Sequence, residues 1–176
     1  MKMSIYPAAI LILLVLSAFT AIQTTKWKIA EGYSIKFSSK DPSGVFKVFK
    51  GEIIFDEKSL DASKFNVFID VNSISTGNGM KNKHAKSDKW FDVKQYPEIR
   101  FNSTKISKTS SAYSVTGMLD MKGVKKEISF PFTFINNTFS GSFTIKRLDY
   151  NIGTTKGMAG KAAQELLVEI SVPVTK

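Results

Sequence analysis

In "YSVTGMLDMKGVKKEISFPFTF", Tyr113 to Phe134, apolar residues fall on every second position. Tyr113, Val115, Gly117, Leu119 and Met121 share one parity of the first half. Ile128, Phe130, Phe132 and Phe134 share one parity of the second. Between them "KGVKK" (Lys122 to Lys126) is short and polar. In a strand, successive side chains point to opposite faces, so strict alternation predicts a sheet buried on one side only. Two such runs joined by a short polar break read as an antiparallel hairpin.

The same period extends outward in both directions. "KFNVFIDV" puts Phe65, Val67, Ile69 and Val71 on one face. "TFSGSFTIK" gives Phe139, Gly141, Phe143 and Ile145, and "ELLVEISVPV" gives Leu166, Val168, Ile170, Val172 and Val174. Shorter runs lie at Ile35 to Phe37, Val45 to Phe55 and Ile99 to Thr104. "DPSG", "KTSS" and "NN" mark further turns. About eight strands at hairpin spacing suit an up-and-down barrel or a sandwich. No internal repeat or low-complexity linker interrupts them, so one domain is expected.

Most of the 14 phenylalanines fall on the apolar parity. Gly51, Gly117 and Gly141 share it, where glycine either leaves room or lets a sheet bend sharply. A barrel of about eight strands has an interior that side chains can fill, or that can hold one small ligand. Two readings follow from periodicity. The aromatic residues pack a solid core, or they line a space for an elongated apolar guest.

Composition narrows the chemistry. The 176 residues, 43% hydrophobic and 23% charged, fit a packed domain with a short appendage. A net charge of +10 suits anionic lipids, nucleic acid or acidic ligands, and also simple solubility. The absence of cysteine excludes disulfides, thiolate nucleophiles and zinc knuckles. With His84 as the only histidine, a metal site would need mostly oxygen ligands, and no metal is expected. "MKMSIYPAAILILLVLSAFTAIQTTKW" starts with Lys2 and turns apolar from Ala8 to Ala21. That length suits a signal peptide over residues 1–21, cleaved near Thr20 or Ala21, and is short for a membrane span. An uncleaved anchor is the alternative; either predicts export, to the periplasm or the medium.

One segment escapes the period of two. "MKNKHAKSDKWF" (Met80 to Phe91) has helical spacing and predicts a short helix over residues 81–88. Pro97 then biases Tyr96 toward extended backbone. The segment reads as a crossover carrying aromatic residues that could plug one end of a barrel. His84, Ser87 and Asp88 lie close together, but no G-x-S-x-G elbow accompanies them. Catalysis and metal binding are therefore not expected here. His84 is expected to fix the crossover by hydrogen bonding. Lys81, Lys83, Lys86 and Lys89, after "TGNG", make either a phosphate site or a solvated basic face. "GTTKGMAGK" (Gly153 to Lys161) only superficially resembles a P-loop, since Ala162 stands where Ser or Thr is required. It reads as a flexible basic loop.

The run "VNSISTGNGMKNKHAKSDKWFDVKQYPEIRFNST" resembles the signature of the YceI-like family of secreted lipid- or polyisoprenoid-binding proteins. "GVFKVFKGEIIFD", "VTGMLDMKGVKKEISFPF" and "FSGSFTIKRLDYNIG" are similar to further blocks of that family. The resemblance implies an all-β, antiparallel eight-stranded lipocalin-like barrel over residues 27–175, with the helical crossover near residues 81–88. It implies a binding protein, not an enzyme, with no cofactor. The apolar parity becomes a tunnel wall formed by Phe37, Phe49, Ile53, Phe55, Val67, Ile69, Phe101, Leu119, Phe132, Phe143 and Val168. Trp90 and Phe91 pack under the crossover, and Lys81, His84 and Lys86 contact a polar head group. The implied partner is a polyisoprenoid or fatty-chain lipid held for transport, storage or sequestration. An anionic membrane surface is a further candidate, a homodimer is left open, and no nucleic acid is expected. Asn82, Lys89, Trp90 and Lys40-Asp41 depart from the family's usual residues and make the crossover more basic. The alternatives are a basic module binding membranes or anionic polymers, or a hydrolase using His84.

Overall fold

The computed structural model describes residues 25–176, so the leader expected over residues 1–21 lies outside the described residues. In the N-terminal half, alternation is interrupted and each long strand is split in two. β1 (Lys26–Ile29) runs on into β2 (Ser34–Ser38), β3 (Gly44–Phe46) into β4 (Phe49–Ile54), and β5 (Lys64–Asp70) into β6 (Ile74–Ser75). The C-terminal half carries unbroken alternation and forms long strands: β7 (Glu98–Lys108), β8 (Tyr113–Met121), β9 (Val124–Ile135), β10 (Thr138–Lys146) and β11 (Glu165–Thr175). With the split strands counted once, eight antiparallel strands follow one another around a closed barrel. Closure occurs at β11, which pairs with β10 on one edge and with β2 and β1 on the other. Of the barrel and sandwich left open by periodicity, the barrel is the one formed.

Register carries the apolar parity around the ring. Val67 faces Phe101, which faces Leu119. On the far side Phe143 faces Val168, which faces Phe37. All of these side chains turn inward. The outward parity is polar, as in Ser114, Thr116 and Asp120 of β8.

The crossover spans one end. Its helix α1 (Gly79–Lys86) starts and ends two residues before the span expected from the sequence. Capping explains the shift. The Asn78 side chain accepts the Lys81 backbone N–H at 3.0 Å, which sets the start. Ser87 adopts extended backbone and ends the helix. Asn82 anchors the helix to β6, since its Oδ1 accepts both the backbone N–H and the hydroxyl of Thr76 at 2.8 Å.

Gly117 serves a close backbone approach at a bend in the sheet, whereas Gly141 borders the barrel interior. A Cβ on Gly117 would lie 2.4 Å from the Asn102 carbonyl oxygen and 2.7 Å from the Phe101 ring, next to the bulge between Ser103 and Lys105. Backbone at that distance cannot move aside as a flexible side chain would. Gly117→Ala is expected to destabilise the barrel by about 1–3 kcal/mol, read as a lower midpoint in chemical denaturation.

Candidate functional site

The two ends of the barrel differ. At the end opposite α1, rings close the floor. Phe55, 1% exposed, sits at the centre of this cluster. Its ring lies 5.2 Å from those of Tyr113 and Phe134 and 5.3 Å from that of Phe139, all edge-on. Edge-to-face contact suits the aromatic quadrupole. The Trp27 indole donates to the Phe55 carbonyl at 2.9 Å, so the buried N–H is satisfied. The Tyr113 hydroxyl donates to the Glu57 carboxylate. That bond, aided by burial, pushes the Tyr113 pKa up to about 12.

Above the floor the barrel is hollow. A cavity of about 600 Å³ is lined almost entirely by aliphatic and aromatic side chains. Every tunnel residue expected from the sequence reaches it except Phe55, which lies beneath as floor. Phe37, Phe49, Ile53, Val67, Ile69, Phe101, Leu119, Phe132, Phe143 and Val168 form walls, and Trp90 and Phe91 enter from the crossover. Ile35, Phe46, Ile99, Met121, Phe130 and Leu166 also line it. These were missed although they lie on the same inward parity. Phe130 stacks on Phe143 with centroids 4.6 Å apart, which stiffens one wall. Phe91 meets Phe46 edge-on at 6.1 Å and so docks the crossover on the barrel.

The mouth is polar. Lys81, His84, Asp41, Thr76 and Lys161 border the cavity here, whereas Lys86 does not reach it. Lys81 Nζ and Asp41 Oδ1 are 2.7 Å apart, joining α1 to the turn after β2. Among the described residues the His84 imidazole has no hydrogen-bond partner. His84 contributes through its carbonyl, which accepts the Ser87 hydroxyl at 2.7 Å and the Ser87 backbone N–H at 3.0 Å. Asp88 accepts the Lys89 N–H at 2.8 Å. The sequence-adjacent His, Ser and Asp are thus tied into the end of the helix, and the side-chain bond expected of His84 is replaced by a backbone one.

Arg147 organises the rest of the cap. It continues the inward parity of Phe139, Phe143 and Ile145, yet it is a cation and only 2% exposed. Its guanidinium donates to five carbonyls: Ile152 (2.8 Å), Ala163 (2.9 Å), Ala159 (3.0 Å), Thr154 and Ala162 (3.2 Å each). Its carbon lies 5.3 Å from the centre of the Trp90 ring. Burial lowers its pKa, but a guanidinium stays protonated. The segment that looked like a flexible basic loop is therefore wrapped around this side chain, with a short 3-10 turn at Gly157–Lys161. Lys122 bolts the two halves of the cap together by donating to the Asp88 and Asn151 carbonyls, each at 2.9 Å.

Residues 21–174 match the sequence pattern of the YceI-like domain. The chain belongs to the YceI-like family. The protein YceI of Salmonella arizonae is 34% identical over 139 residues, which cover 73% of this chain and 71% of that one. Among solved structures, BcnA of Burkholderia cenocepacia is similar with a TM-score of 0.78 at 29% identity, covering 85% of this chain and all (100%) of that one. A polyisoprenoid binding domain from Saccharophagus degradans has the same fold, with a TM-score of 0.59 at 16% identity over 85% of this chain and 97% of that one. In this YceI-like barrel Trp90, a departure noted in the sequence, supplies the ring beneath Arg147.

Two outcomes test this account of the floor and cap. Arg147→Met removes a charged donor to five carbonyls and should cost about 3 kcal/mol or more. Faster amide hydrogen exchange over residues 153–163 should accompany that loss. At the floor, the raised Tyr113 pKa gives a stabilisation that is complete below the unfolded value near 10 and lost as pH rises through about 12. Stability measured against pH should therefore lose this part of its alkaline decline in Tyr113→Phe.

Proposed function

We propose that the protein is an exported binding protein that holds a polyisoprenoid or other long-chain amphiphilic lipid inside its barrel, for transport, storage or sequestration. The observation that carries this reading is the hollow, overwhelmingly apolar interior, closed by rings at the floor and bordered by a cluster of polar groups at the mouth. An amphiphile matches that polarity, with its chain inside and its head group at the rim. The volume lies in the range of sites that enclose small organic ligands, roughly 300–1,000 Å³. Burial of a chain contributes about 25 cal/mol per Å² of apolar area, from which association costs are subtracted. The fold is shared with a polyisoprenoid binding domain, which supports the ligand class. Export rests on the apolar N-terminal segment from Ala8 to Ala21.

Binding is favoured over catalysis because the wall offers contacts and few reactive groups. Ser87 and Asp88 are engaged in local hydrogen bonds.

Mass spectrometry of lipid extracted from protein purified from its native host should find an isoprenoid or fatty chain. Protein that is repeatedly empty and also fails to take up long-chain lipids in solution would overturn the reading. Val168→Trp places a large ring in the cavity and should weaken uptake of a fluorescent long-chain probe by at least about tenfold. An unchanged circular dichroism spectrum would show that the barrel itself survives.

A further inference from the structure

The polar groups at the mouth are unequal in charge. Four cationic side chains border the cavity, Lys36, Lys81, Arg147 and Lys161, against one carboxylate, Asp41. Lys36 lies on the outward parity of β2, opposite Glu169 in the ladder, and can be set aside. That leaves Lys81, Arg147 and Lys161 around Asp41. Asp41 is already engaged, since its carboxylate pairs with Lys81 at 2.7 Å and its carbonyl accepts the Ala163 N–H at 2.9 Å. The two bonds draw α1 and the segment carrying Lys161 to the same side of the mouth.

Arg147 sharpens the imbalance. Its charge is buried, and no carboxylate pairs with it among the described residues. Five carbonyl dipoles solvate it but leave its net charge in place. Beside a cavity walled by carbon, such a charge is weakly screened and its field extends into the opening. A neutral head group gains little from that field. An anion gains from it and from charge-assisted hydrogen bonds to the two lysines. The aromatic wall below disfavours an ion, so the anion is held at the rim while its chain fills the barrel.

We propose that the barrel selects lipids whose polar end is an anion, phosphate or carboxylate, seated at the mouth between Lys81 and Lys161 and within the field of Arg147. This rests on the lipid-binding reading above and names the class of head group. Lys161 and Arg147 join Lys81 as determinants of specificity, and Asp41 opposes them.

The test compares ligands with matched chains: farnesyl phosphate against farnesol, and palmitate against hexadecanol, each by displacement of a fluorescent long-chain probe. The anion of each pair should bind at least about tenfold more tightly, and added salt should narrow the ratio. Preference in both pairs assigns the site to anions in general, while preference in one assigns it to phosphate or to carboxylate alone. Lys81→Gln with Lys161→Gln should bring the ratio to within about threefold. Asp41→Asn, which removes the opposing carboxylate, should raise it. Equal affinity for anion and alcohol in both pairs, or a ratio unmoved in the double variant, overturns the proposal. Failure of all four ligands to bind would instead overturn the lipid-binding reading on which it stands.

Discussion

Everything in this protein depends on β11 finding a partner on each of its edges. One edge takes β10, its neighbour in sequence, and the other takes β2 and β1 from the far end of the chain. Until that second edge is paired, the sheet is open and its apolar face lies in water. Once it is paired the ring is closed, and every inward side chain has a fixed place in it. A slip of one residue at the seam would send Leu166, Val168 and Ile170 outward and bring Glu165 and Glu169 inside, which the burial of carboxylates forbids.

Closure makes a tube, and the two ends give it a direction. At the floor, Phe55 packs among neighbouring rings, and the polar atoms of Trp27 and Tyr113 are hydrogen-bonded. At the mouth the chain cannot close the barrel with strands, because connections must satisfy their own backbone groups. Arg147 meets part of that need by donating to carbonyls of the segment that folds over it. Trp90 reaches in from the crossover to lie under the same guanidinium. The cap is therefore polar in its bonding and basic in its charge, while the chamber below is apolar. An amphiphile with an anionic head is the guest that uses both properties.

Asn82, Trp90 and Asp41 all contribute to this cap. The Asn82 amide holds the start of the helix through Thr76. Asp41 pairs with Lys81 across the mouth. The barrel wall needs only apolar bulk at alternate positions, and the fold as a whole is similar to that of BcnA at 29% identity.

Alternation alone determined the strands, their inward faces and the antiparallel hairpins, because side-chain direction in a strand is a local property of the backbone. It placed Phe101, Leu119 and Val168 on the wall, and the same rule would have placed Ile35, Phe46 and Phe130 there. The helix was legible as a break in that period, though its start is set by the Asn78 cap, a local signal that periodicity does not contain. Arg147 also stood in plain view on the inward parity, but its partners are carbonyls, which carry no mark in a sequence. Whether the phenylalanines fill the barrel or surround a void was decided only in three dimensions. Phe55 and Phe101 share a parity, yet one is packed among rings at the floor and the other faces open space. That difference depends on how many side chains reach the axis at each level, which is fixed by register around a closed ring and by no stretch of the chain alone.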